Sequence, residues 1–203
     1  MSNKAKRMNY HVGNLEPQLI DQAKKMLEEV GPDKLSIRAI AEQLGVSATA
    51  VYYHFANKDE LISHLAADGF MALEKVLVDS QVGVDVRHKM QVTSKAYMLF
   101  AFEHPAMYQL MFGSQLAHSE MNSKLFIARK QAYAVVEQCV AEVLGQDVQS
   151  KEVRSAALAA WSFAHGLASL RIHNVFQLPE QFSKDALIEK ALLGFNQLVK
   201  VHM

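Results

Sequence analysis

Apolar residues recur along this chain at intervals of three and four, the spacing of one face of an α-helix, and no stretch alternates residue by residue as a half-buried strand would. In LIDQAKKMLEEVGP, Leu19, Ile20, Ala23, Met26, Leu27 and Val30 fall within roughly 120° of one helix face, with Asp21, Lys24, Lys25, Glu28 and Glu29 opposite. Gly31 is placed to close that helix in a left-handed conformation, and Pro32 blocks its continuation. Ser36 is expected to cap a short helix whose inner face is Ile37, Ile40, Ala41 and Leu44, and Gly45 ends it. Ser47 caps the next helix, which runs to about Phe55. Asn57 and Glu60, at capping-box spacing, then open a long connecting helix over about 58–79.

The second part of the chain continues the pattern. Gly83 interrupts it before DVRHKMQVTSKAYMLFAFE, and Pro105, favoured at a first helical position, opens the short apolar PAMYQLMF, which ends at Gly113. Three longer helical patterns follow at about 120–144, 150–174 and 184–202, with a loop around Pro179 between the last two. The fold class predicted is all-α.

Composition narrows the classes. The chain has 203 residues, half of them apolar, with a formal net charge of zero. No apolar run approaches the roughly 20 residues needed to cross a bilayer, and MSNKAKRMNYHVGN lacks the apolar middle of a signal peptide, so a cytoplasmic protein without membrane partners is expected. Cys139 is the single cysteine, which excludes an intramolecular disulfide and a thiolate zinc cage; it sits in an apolar helical pattern that suits a buried, inert thiol. The neutral total conceals an uneven distribution, since Lys4, Lys6 and Arg7 stand in residues 1–13 without a single acid.

Residues 35–56 read as helix, a short turn containing Gly, and helix, the layout of a helix-turn-helix. If Ala48, Val51 and Phe55 face inward with the ring of Tyr52, helical spacing turns Thr49, Ala50, Tyr53 and His54 outward. That outward set carries no acid, so it can enter a major groove without repelling phosphates. Ser47 is assigned a phosphate contact at the helix start, Thr49 and Ala50 close approach to base edges, and Arg38 a guanine contact. Tyr52, His54 and Lys58 are assigned to the sugar–phosphate backbone. Core packing of the two tyrosines and a solvated Lys58 are the alternative for each residue taken singly.

The stretch LSIRAIAEQLGVSATAVYYHFANKDELI resembles the DNA-binding signature of the TetR family of bacterial transcriptional regulators: the capped LSIRAIAEQLGVS, the aromatic YYHF and the NKDEL that opens the connecting helix. The resemblance covers about residues 15–70 and implies that Arg38, Ser47, Thr49, Tyr52, Tyr53, His54 and Lys58 occupy positions that touch DNA. It also implies an N-terminal three-helix helix-turn-helix domain and a C-terminal helical bundle that forms a dimer. Three regions are expected: a basic, flexible arm over 1–13, the DNA-binding domain over 14–71, and a ligand-binding and dimerisation domain over 72–203. The arm either enters a minor groove or is a solvated terminus.

In the last region, RSAALAAWSFAHGLASLRIH is rich in small side chains that admit a close helix neighbour. Leu187, Ile188, Ala191, Leu192, Phe195, Leu198 and Val199 make a stripe along the final helix. Pairing with symmetry mates through these two helices fits a homodimer on a near-palindromic operator, with internal core as the rival explanation. AAWSFAHGLASL with EHPAMYQLMF resembles a C-terminal subclass of the family marked by Trp161, His165 and Gly166. Met98, Phe102, Met107, Tyr108 and Met111, with Trp161 and His165, are the candidate walls of a small-molecule effector pocket, or simply core.

The function expected is a sequence-specific transcriptional regulator, a repressor released from its operator by a small-molecule ligand, with activation left open. A DNA-architectural or interaction protein without ligand sensing is the alternative. A helical enzyme has least support: there is no HExxH, no Cys/His cluster and no GxSxG, so no catalytic residue, metal ligand or cofactor is assigned.

Overall fold

The computed structural model describes residues 15–116, 123–175 and 183–200, the side chains of Gln115, Val199 and Lys200 excepted. The basic segment 1–13 and the loop around Pro179 lie outside the described residues. Among these residues there are nine α-helices and no strand: α1 Leu15–Val30, α2 Ile37–Leu44, α3 Ala48–His54, α4 Lys58–Asp79, α5 Val86–Glu103, α6 Pro105–Met111, α7 Lys124–Leu144, α8 Lys151–Ile172 and α9 Lys184–Lys200. The all-helical expectation is met. None of the described helices is long and apolar enough to cross a membrane. The chain divides into two compact units after Ile62, within α4.

The first unit, the head, closes on a small core: Leu19, Ala23 and Leu27 from α1, Ile40 from α2, and Val51 and Phe55 at and after α3. Each large aliphatic or aromatic member contributes about 1.5–3 kcal/mol by leaving water, which is how helices this short hold together. Its helix ends follow local rules with two departures. Gly31 ends α1 at φ 78°, ψ 170°, an extended glycine-only geometry and not the left-handed one expected. Ser36 stands at the N-cap of α2 with extended backbone, yet its hydroxyl makes no cap bond.

The second unit, the body, is built around α5, which packs on α6, α7, α8 and α9. The part of α4 in this unit buries Leu65, Phe70, Leu73 and Leu77. Caps set the helix starts: Asp85 accepts from the Arg87 N–H, Ser123 from Phe126 and Ser150 from Val153. Pro105 occupies the first turn of α6, as expected. Within this unit Gly69 of α4 lies against α6 so tightly that a Cβ there would stand 2.7 Å from Sδ of Met111 and 2.9 Å from Sδ of Met107. A side chain there would require both methionines to shift. Cys139 is fully buried, and burial raises its thiol pKa, which disfavours the reactive thiolate.

Candidate nucleic-acid interface and aromatic cluster

The turn between α2 and α3 is fixed by backbone chemistry. Gly45 adopts the left-handed conformation (φ 66°, ψ 27°) and its N–H reaches the carbonyls of Ala41 and Glu42, while the Val46 N–H bonds the Ala41 carbonyl at 2.9 Å. This is the Schellman closure, and it redirects the chain within one residue. Ser47 then caps α3, its Oγ accepting from the Ala50 N–H at 3.1 Å. The hydroxyl proton of Ser47 is left to donate elsewhere. The expected capping box also forms: Asn57 Oδ1 accepts from the Glu60 N–H at 2.8 Å, and Glu60 Oε2 from the Ala56 N–H at 2.7 Å.

The orientation of α3 decides what the head offers. Val51 is fully buried and Phe55 nearly so, while Thr49 and Tyr53 are exposed, Tyr53 to 88%. Two expectations need correction. Tyr52 does not bury its ring; half of it is exposed. His54 does not stand clear of the surface; its side chain is 23% exposed and its Nδ1 lies 3.8 Å from Oε2 of Glu16 on α1. The cause is a rotation: the buried arc centres between Val51 and Phe55, so at about 100° per residue Tyr52 and His54 fall about 80° to either side of it, one at each edge. Ala50 is half-buried.

Arg38 is exposed in the first turn of α2, and Lys58 is half-exposed at the start of α4. Neither makes a hydrogen bond or ion pair among the described residues, so both cations can accept an anionic partner without breaking an existing bond. The acids nearby are partly committed: Glu60 holds a cap, and Glu16 faces His54. The result is a surface of hydroxyls, one exposed aromatic ring set edge-on to His54 and two unengaged cations on short helices. Its groups match what contacts to phosphates and base edges require.

In the body the same residue types are turned inward. Tyr108 Oη lies 2.6 Å from Nδ1 of His165 and 2.9 Å from Oη of Tyr97, whose own distance to Nδ1 is 3.4 Å. Burial holds His165 below the usual imidazole pKa, and burial raises both phenols above theirs. A neutral imidazole accepting at Nδ1, with Tyr97 donating to Tyr108 and Tyr108 to His165, satisfies all three. Trp161 meets Tyr97 edge-on at 4.9 Å between ring centres and Tyr133 at 5.4 Å, and Phe112 packs on His165 at 4.5 Å.

Of the pocket candidates, Tyr108, Trp161 and His165 therefore come together around Tyr97. Tyr97 escaped the sequence reading because it lies 11 residues from Tyr108 and 68 from His165. Met98 and Met111 are fully buried, Phe102 nearly so, and Met107 joins Met111 against Gly69. Among the described residues no group of three or more His, Cys, Asp or Glu is placed to hold a metal ion.

Comparison with known proteins follows the same division. Residues 19–65 match the family model described as bacterial regulatory proteins, tetR family, and residues 91–195 the model described as tetracyclin repressor-like, C-terminal domain. The chain is 28% identical over 103 residues to the HTH-type transcriptional regulator Rv1816 of Mycobacterium tuberculosis, a match covering 49% of this chain and 44% of that relative. The chain thus spans less than half the length of that relative. It is 48% identical over 48 residues to the class A tetracycline repressor from transposon 1721 in Escherichia coli, 24% of this chain and 22% of that protein. A solved protein of unknown function from Rhodococcus sp. RHA1 superposes with a TM-score of 0.73 at 28% identity, over 91% of this chain and 94% of its own. With a helix-turn-helix matched by one model and more than half of the chain by the other, this protein belongs to the tetR family of bacterial regulatory proteins.

Proposed function

We propose that this protein is a sequence-specific, homodimeric transcriptional regulator of the cytoplasm, a repressor released from a near-palindromic operator by a small-molecule effector. The observation that carries this reading is the α3 surface, where Thr49 and Tyr53 are exposed over a fully buried Val51. Arg38 is the base-reading cation, Thr49 and Ala50 allow close approach to the groove, and Ser47, Tyr52, Tyr53 and Lys58 hold the sugar–phosphate backbone. His54, half-covered beside Glu16, supports the edge of that surface. Residues 14–71 act as the DNA-binding domain, residues 72–203 as the sensing and dimerising domain, and residues 1–13 as an accessory basic arm.

Dimerisation is supported by α8 and α9, which leave Leu158 60%, Leu193 59% and Leu198 63% exposed, with exposed Ser155, Ala159 and Ser162 on α8. Large aliphatic side chains set among small ones suit a helix packed closely from outside the chain. The Trp161, His165 and Gly166 triplet supports reading the body as a member of the family subclass marked by those residues. Effector binding near Trp161 and His165 shifts α4, which carries residues of both units, and so changes the spacing of two heads in the dimer. Such a switch requires the effector to prefer one dimer geometry.

Selection of bound sites from a random duplex pool by the full-length protein, followed by titration at several salt concentrations, tests the reading. A two-fold-related site bound at least a thousandfold more tightly than random duplex is the expected result, in line with roughly 10³–10⁷ for specific regulators. Equal binding to random and selected duplexes would overturn it.

A further inference from the structure

Behind Trp161 the body contains a cavity of about 10 Å³, lined among others by Ser94, Tyr97, Leu77, Trp161 and Ala164. Ser94 is 7% exposed, and no described residue donates to or accepts from its hydroxyl. Yet no sealed polar side-chain atom among the described residues lacks a partner, so the Ser94 oxygen keeps some accessible surface in this otherwise apolar lining. Its neighbour Thr93 is already committed, with Oγ1 donating to the Lys89 carbonyl at 2.8 Å. A hydroxyl that makes no bond within the fold and stands beside aromatic and aliphatic walls can exchange water for a polar group of an entering molecule.

No wall residue carries a charge at neutral pH. The cations nearest along α5 are taken: Lys89 Nζ is 2.5 Å from Glu142 and Lys95 Nζ 2.7 Å from Asp185. An ionised ligand here would lose its hydration without gaining a counter-ion, which disfavours it against a neutral one. The cavity as it stands holds no more than about one water, so occupation requires the walls to move. Trp161 is a half-exposed wall and Leu77, on α4, a fully buried one. Opening the chamber by moving the indole outward gives up its edge contacts with Tyr97 and Tyr133, and whatever fills it then bears on α4 at Leu77.

We infer that this chamber is an expandable binding site for a compact, uncharged, ring-sized molecule bearing a single hydroxyl or carbonyl, with Ser94 as its hydrogen-bonding partner and Trp161 as its movable wall. This rests on the reading of the body as a sensor and adds to it the class of effector.

Trp161 is the single tryptophan of the chain, so its emission reports on the chamber directly. The full-length protein is titrated with cyclohexanol, with cyclohexanecarboxylate at neutral pH, and with methylcyclohexane. Saturable change with cyclohexanol is expected, with binding at least tenfold tighter than for the carboxylate. Ser94→Ala should weaken cyclohexanol about fivefold, the worth of one modest hydrogen bond. It should leave methylcyclohexane unchanged and keep the wild-type helical circular dichroism. Carboxylate binding as tight as alcohol binding overturns the inference, on wild-type protein alone. So does the absence of saturable change up to the solubility of cyclohexanol, or an alcohol affinity unmoved by Ser94→Ala. Release of selected DNA is read separately: chamber occupancy without release supports the site and counts against ligand-released regulation.

Discussion

The head and the body each hold two tyrosines and a histidine close together, and they treat them in opposite ways. In α3, Tyr52 and Tyr53 extend into solvent, and their hydroxyls have no partner among the described residues. In the body, Tyr97, Tyr108 and His165 are linked in one run of hydrogen bonds and covered by Phe112 and Trp161. The residues are the same, and the difference lies in who answers their polar atoms. A phenol satisfied inside the fold stabilises that fold, whereas one left to water is available to a partner at no cost to the interior. This contrast separates a surface built for an outside ligand from one built as an internal framework.

The contrast is broken most directly by removing whole rings. Tyr108→Ala should destabilise the protein by about 3–5 kcal/mol, because it leaves a cavity among Tyr97, Phe112 and His165. Tyr53→Ala should leave stability within about 0.5 kcal/mol and lower DNA affinity, since that residue is 88% exposed and its ring meets only the edge of His54. Thermal unfolding beside gel-shift titration separates the two, and a large loss of stability in Tyr53→Ala would contradict the assignment. Next in size are the cations. Arg38→Ala should cost about 1–3 kcal/mol of operator binding and relax preference at one base pair, whereas Lys58→Ala should weaken all duplexes alike and reduce the salt slope by about one.

Removing a single oxygen sharpens the comparison. Tyr108→Phe strips His165 of its donor at 2.6 Å and Tyr97 of its acceptor, at about 1–3 kcal/mol of stability, while Tyr53→Phe should be close to neutral in denaturant titrations. The smallest effect is a pH dependence. Burial holds the folded pKa of His165 below the ordinary 6.5, so between the two values the unfolded chain binds more protons. Stability from this site is therefore present above about pH 6.5 and is lost as pH falls towards the folded value. His165→Gln should flatten that part of the stability–pH curve, and an unchanged slope would mean that the imidazole is not held neutral.

How much of this could be read from the chain depends on how local each cause is. Gly45, Ser47, the Asn57–Glu60 pair and Pro105 act within a few residues, and all were legible. The Ser36 cap was expected by the same rule, but its hydroxyl makes no such bond. The facing of Tyr52 and His54 was harder, because a helix of seven residues defines its buried side through only one or two contacts. Phe55 lies past the helix end in extended conformation (φ −131°), so a wheel extended to it is tilted. Tyr97, Ser94 and Gly69 were not legible at all. Their roles depend on partners from other helices, and no spacing along one helix encodes them.

Gly69 has a mechanical consequence. Where it crosses α6, the contact is bare backbone against two thioethers, and the adjacent Phe70 meets Phe112 edge-on at 5.3 Å between ring centres. Methionine sulfur is polarisable and its torsions are soft, so these two side chains can adapt to small changes at the crossing. The contact lies at mid-length on α4, about 12 Å of helix from Leu77. A bulkier residue at position 69 would therefore press on both methionines at once.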